Sequence, residues 1–176
     1  MEYSLTTPLK KEDIEKLRAG DRVLLSGIIY TARDAAHERM TRLFKDGEPF
    51  PIDLSTAAIY YAGPCPAKPG EIIGSCGPTT SGRMDAYTPK LIENGLRVMI
   101  GKGERNDTVK RSISKHKAVY LGAIGGAGAL ITECISAAEV VAYEDLGTEA
   151  IRKLTVKNLP LTVLVDSEGA DLYATK

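Results

Sequence analysis

Three short stretches carry cations and hydroxyls in an arrangement that could hold a small anion and move a proton on it. Residues 77–85 read G-P-T-T-S-G-R-M-D, so Thr79, Thr80 and Ser81 stand just ahead of Arg83 and Asp85. Hydroxyls before a predicted helix serve as N-caps. A helix start with free N–H groups, hydroxyls and a guanidinium within one turn is also a carboxylate receptor. The two roles do not exclude each other. Residues 31–37, T-A-R-D-A-A-H, follow a predicted buried strand and open a helix. Arg33 falls at the strand end and His37 one turn later. The plain alternatives are a surface arginine and a structural histidine. Lys102, between Gly101 and Gly103, follows another predicted strand. Its ammonium either points into a cleft at the strand's C-terminal edge or is solvated on a loop.

Other suggestive patterns fail on spacing. The segment at 122–128, G-A-I-G-G-A-G, does not match the G-x-G-x-x-G of a dinucleotide fold and comes late in the chain. It reads as a tight strand-to-helix turn, with backbone N–H groups that an anion could use. Around Lys102, a phosphate loop would need glycine at 96 and Ser or Thr at 103, where Leu96 and Gly103 stand. Cys65, Cys76 and Cys134 form no C-x-x-C pair, which argues against a disulfide framework and a zinc knuckle. They read as small buried residues rather than as ligands.

The elements that must place these residues alternate along the chain. Helices are predicted over 11–19, with Gly20 as cap, over 34–45, in part over 83–93 around Pro89, over 107–116, and as a short turn over 127–134. Strands are predicted over 22–30, 57–61, 71–75, 97–100, 119–122, 139–143 and 161–166, with Pro160 just ahead of the last. Interleaved strands and helices make this an α/β protein, and 176 residues favour one compact domain. Lys and Arg number 23 and Asp and Glu 23, so no positive excess points to nucleic acid or an anionic membrane. The N-terminus lacks a signal-peptide pattern, and the expected compartment is the reducing cytoplasm.

Four segments together resemble a known family. These are residues 27–37 (GIIYTARDAAH), 61–85 (YAGPCPAKPGEIIGSCGPTTSGRMD), 101–105 (GKGER) and 118–130 (AVYLGAIGGAGAL). They are similar to the β subunit of class I, iron–sulfur-dependent fumarate hydratase. The same unit is the β subunit of L(+)-tartrate dehydratase and the C-terminal domain of single-chain class I fumarases. The resemblance implies a single swivelling β/β/α domain over residues 1–176 and a hydro-lyase that reversibly hydrates fumarate to (S)-malate. It implies a [4Fe-4S] cluster held by cysteines of a partner α subunit, not by this chain, in an assembly of the α2β2 type. It also implies Arg33, Arg83 and Lys102 as clamps on the substrate's carboxylates and Thr79 as the group that exchanges the C3 proton. His37 and Asp85 are expected one layer behind them. A threonine hydroxyl is too weak an acid to act alone, so a carboxylate from the α subunit is expected to activate it. L(+)-Tartrate dehydration is the alternative reaction, and a non-catalytic anion-binding or assembly subunit the alternative class.

Overall fold

The computed structural model describes residues 1–123 and 128–175. Seven strands among them form one sheet: β1 (Glu2–Thr6), β2 (Arg22–Thr31), β3 (Ala58–Tyr60), β4 (Val98–Gly101), β5 (Val119–Gly122), β6 (Ile135–Ala142) and β7 (Ile151–Val165). Five helices join them: α1 (Lys11–Glu15), α2 (Asp34–Asp46), α3 (Thr88–Glu93), α4 (Asp107–His116) and α5 (Gly128–Glu133). Strands β1 to β5 pair in parallel and in order. β7 returns antiparallel and pairs with both β5 and β2, which closes β2–β3–β4–β5–β7 into a ring. β1 and β6 extend the sheet on β2 and β7.

Strict alternation sorts the side chains. Ala58, Tyr60, Val98, Ile100, Val119 and Leu121 pack inside the ring with Leu25 and Leu154. Their neighbours Ile59, Tyr61, Met99 and Tyr120 face outward and pack with Met40 of α2, Leu91 of α3 and Ile113 of α4. The helix ends follow local chemistry. Gly47 closes α2 at φ 67°, a left-handed conformation that costs glycine little. Asn106 opens α4, its side chain accepting the Val109 N–H at 2.9 Å.

The α/β reading holds, and the helices at 34–45 and 107–116 form almost as expected. Several boundaries differ. α1 stops at Glu15, with Lys16 as its cap, and Gly20 lies in a later turn that bonds Val163 O. Residues 71–75 are not a strand. They fold back on the preceding loop, where the Cys65 N–H bonds Ser75 O. The helix expected over 83–93 divides into a 3₁₀ turn, Ser81–Met84, and α3, whose first turn holds Pro89. β6 begins four residues ahead of the expected 139 and ends at Ala142. β7 is 15 residues long, with Pro160 inside it rather than ahead of it. β6 leaves that edge of β7 after Val156 and β5 joins it only at Thr162. Pro160 sits in the gap, where its missing N–H breaks no ladder bond. Most of the 122–128 segment, with Ala127, lies outside the described residues. No described helix is long and apolar enough to cross a membrane.

Candidate functional site

Because β2, β3 and β4 are parallel, their C-terminal ends share one rim, the end of a parallel sheet, open or closed, at which ligands commonly bind. Arg33 leaves β2 with extended backbone and occupies the N-cap position of α2. Its carbonyl accepts the His37 N–H at 2.9 Å and lies 2.8 Å from His37 Nδ1. A carbonyl only accepts, so Nδ1 carries the imidazole proton and Nε2 is left bare. His37 is fully buried, and neither its Nε2 nor Arg33 Nε has a hydrogen-bond partner among the described residues. Burial is the main reason His37 is pushed down to about 4, and the Arg105 charge adds to it. The imidazole is therefore neutral near pH 7. Beyond β3, Gly63 lets the Arg33 side chain cross: a Cβ there would fall 2.7 Å from Arg33 Nη1.

The 77–85 segment runs over the ends of β3 and β4. The Thr79 N–H donates to Tyr61 O at 2.7 Å, and Thr80 bridges to Lys102 as a short parallel pair. The Ser81 N–H donates to Lys102 O at 2.9 Å, while the Lys102 N–H donates to Ser81 Oγ at 3.1 Å. This close approach needs Gly101, since a Cβ there would run into Ser81 Oγ and the Tyr61 ring. Thr80 stands at the N-cap position but its side chain makes no cap bond. The 3₁₀ turn brings Arg83 across to α2, where it pairs with Asp34. Asp85 turns inward and accepts the Arg105 Nε–H at 2.7 Å and the Asn106 N–H at 2.8 Å.

The rim thus gathers the expected residues into two adjoining groups. Arg33, His37, Asp34 and Arg83 make one, and Thr79, Thr80, Ser81 and Lys102 the other. Within the first group His37 is fully buried, and Asp85 faces inward to Arg105 rather than toward the rim. The start of α2 is not an open anion site, because Glu149 accepts the Ala35 N–H at 3.1 Å. Sequence reasoning missed Arg105, Tyr61 and Tyr120, and named Ser81 only as one of three hydroxyls ahead of a helix. Arg105 is inside the quoted GKGER stretch, but its partners are scattered between residues 61 and 120, and no local spacing signals them.

The family model for the fumarase C-terminus matches residues 1–176. The chain belongs to that family. Among its relatives, the fumarate hydratase class I, aerobic, of Escherichia coli (strain K12) is 38% identical over 173 residues, which are 96% of this chain and 32% of that protein. Fumarate hydratase 2 of Leishmania major is 36% identical over 178 residues, covering 99% and 31%. The putative L(+)-tartrate dehydratase subunit beta of Methanocaldococcus jannaschii is 37% identical over 179 residues, covering 98% of this chain and 91% of that protein. This fumarase C-terminus chain therefore spans about a third of the fumarate hydratases it matches and nearly all of the tartrate dehydratase subunit.

The chain's own donors do not fit an iron–sulfur cluster. Of the three cysteines expected to be buried only Cys76 is, and burial pushes its thiol up to about 12; Cys65 is exposed on its loop and Cys134 is partly buried. A thiol that resists ionisation is a poor metal ligand. No group of three His, Cys, Asp or Glu among the described residues is placed to hold a metal ion.

Proposed function

We propose that this chain is the β subunit of a class I fumarate hydratase, holding half of an active site whose iron–sulfur cluster belongs to an α subunit. The observation that carries the reading is the gathering of Arg33, Arg83, Lys102 and Thr79 on one strand rim of a fumarase C-terminus fold. Fumarate and malate are dianions, so a site needs several cations, and guanidinium groups grip carboxylates through parallel hydrogen bonds. In this reading Arg33 and Arg83 clamp the carboxylates, and Lys102 adds a point charge on the same side. Cations fixed there lower the energy of the negative charge that builds up when the C3 proton leaves. Thr79 exchanges that proton, its backbone held by Tyr61 O. No carboxylate bonds its hydroxyl among the described residues, so the activating base comes from the α subunit. Bound to the α subunit, the cluster would supply a Lewis acid for the hydroxyl group.

The name of the putative tartrate dehydratase subunit beta implies an α partner and keeps L(+)-tartrate as the second substrate. The test is anaerobic hydration of fumarate, with tartrate dehydration beside it, by this chain alone and after mixing with its α subunit. Fumarate turnover only in the mixture supports the reading, and a preference for tartrate replaces the substrate. Turnover by the chain alone overturns the half-site. A mixture with an intact cluster that is silent on both substrates favours a non-catalytic anion-binding subunit.

A further inference from the structure

Arg105 is the only arginine or lysine in the interior of the described residues, its side chain fully shielded from solvent. Its guanidinium donates from Nε to Asp85 Oδ1 at 2.7 Å, from Nη2 to Thr88 Oγ1 at 2.8 Å and from Nη1 to Tyr61 Oη at 3.2 Å. It also lies over two aromatic rings, 5.1 Å from the centroid of Tyr61 and 4.8 Å from that of Tyr120. A buried ion pair adds little stability over an apolar replacement, so stability alone gives no reason for this cation. Geometry gives one. The fork is rigid and planar, and it fixes these four residues relative to one another.

Each of the two tyrosines leads to the rim. Tyr61 donates its N–H to Ile100 O at 2.9 Å and receives the Thr79 N–H on its carbonyl at 2.7 Å. Tyr120 Oη lies 2.8 Å from Gly103 O and 2.7 Å from Ser81 Oγ. The single phenolic proton goes to the carbonyl, which can only accept, so Ser81 donates to Tyr120. A lone pair of Ser81 Oγ is then aimed at the Lys102 N–H. We infer that Arg105 is a positioning residue that fixes Thr79 through Tyr61 and Lys102 through Tyr120 and Ser81. The catalytic meaning of that link rests on the roles proposed above for Thr79 and Lys102. The link itself lies wholly within this chain.

Arg105→Lys keeps a cation and loses the fork. Residue-resolved amide hydrogen exchange on the full chain reads the link without any substrate. The expected result is exchange about tenfold faster or more at the Thr79 and Lys102 amides, with β2 and β7 protected as before. In the assembled enzyme kcat for fumarate is expected to fall about a hundredfold, as for other small misplacements. KM stays within about threefold, because Arg33 and Arg83 still hold the carboxylates. Tyr120→Phe separates the two branches: the Lys102 amide speeds up and the Thr79 amide does not. Unchanged exchange at both amides in Arg105→Lys overturns the inference. So does protection lost evenly around the ring, or a rise in KM with kcat intact. If Arg105→Lys does not fold, Tyr120→Phe decides: a change confined to the Lys102 branch supports the link, and none or an even one overturns it. If the wild-type assembly hydrates no fumarate and dehydrates no tartrate, the functional reading falls and the exchange data still judge Arg105.

Discussion

Arg83 and Asp34 form a two-pronged ion pair across the mouth of the site, with Nε 3.1 Å from Oδ2 and Nη2 3.2 Å from Oδ1. The pair joins the GPTTSGR segment to the ARDAAH helix, and both side chains stay close to half exposed, at 46% and 44%. An ion pair this exposed contributes only about 0–1 kcal/mol, so an incoming carboxylate can take Asp34's place at little cost. In the function proposed above, Asp34 would then be a placeholder that keeps the guanidinium oriented. Asp34→Asn keeps the shape and removes the charge. It is expected to leave the melting temperature nearly unchanged, raise KM for the dicarboxylate several-fold and leave kcat as it was. An unchanged KM in the assembled enzyme shows that Arg83 needs no such holder.

Thr79 and Arg83 should fail in different ways. Thr79→Ala removes only the hydroxyl proposed to carry the C3 proton, so turnover disappears while substrate still binds. Arg83→Ala removes the proposed clamp, which would hold the carboxylate in both ground and transition states, so KM is expected to rise and kcat/KM to fall. Steady-state kinetics with a binding measurement on each variant separates the two. Near-normal turnover by Thr79→Ala would remove the threonine from the chemistry.

Much of this site was legible because its cations sit next to strand ends, and strand ends are readable from short Val/Ile/Leu runs. Arg33 after β2 and Lys102 after β4 are such cases. The 77–85 segment was legible as a loaded stretch, but its 3₁₀ turn and its bridge to Lys102 depend on Gly101 accepting Ser81 at close range. That contact joins residues 20 apart. The length of β7 was hidden for a related reason. Its first ten residues hold two adjacent polar pairs, Arg152-Lys153 and Lys157-Asn158, that break both an apolar run and an alternation, while only the end, Val163 to Val165, is continuously buried. Arg105 was least visible, since an arginine among Glu104, Asn106 and Asp107 reads as solvated until the fold wraps Tyr61, Thr88 and Tyr120 around it.

The cysteines give a prediction about metal. Cys76 lies inside the ring, where burial pushes its thiol up to about 12, and Cys65 is exposed on a loop. The chain by itself, incubated anaerobically with iron and sulfide and then desalted, should retain neither and show no visible cluster absorbance. Stoichiometric iron bound to the lone chain, lost on Cys76→Ala, would return the cluster to this subunit.

His37 predicts how stability responds to acid. Its unfolded-state value is 6.5, and burial, opposed by the Arg33 carbonyl and Asp34 and helped by Arg105, lowers it to about 4 in the folded chain. Above pH 6.5 both states carry neutral imidazole and the group contributes no pH dependence. As the pH falls below 6.5 the unfolded chain takes up a proton that the folded chain refuses, so stability is lost down to about pH 4. Below that both states are protonated and the loss levels off. The total is on the order of 3 kcal/mol. His37→Gln keeps a donor within reach of the Arg33 carbonyl and cannot titrate in this range. Urea unfolding of the two chains from pH 7 to pH 4 should therefore give curves that converge as the pH falls, the wild type losing its lead. Parallel curves would mean that the imidazole is reached by solvent, and that Arg33 is not held by a neutral ring behind it.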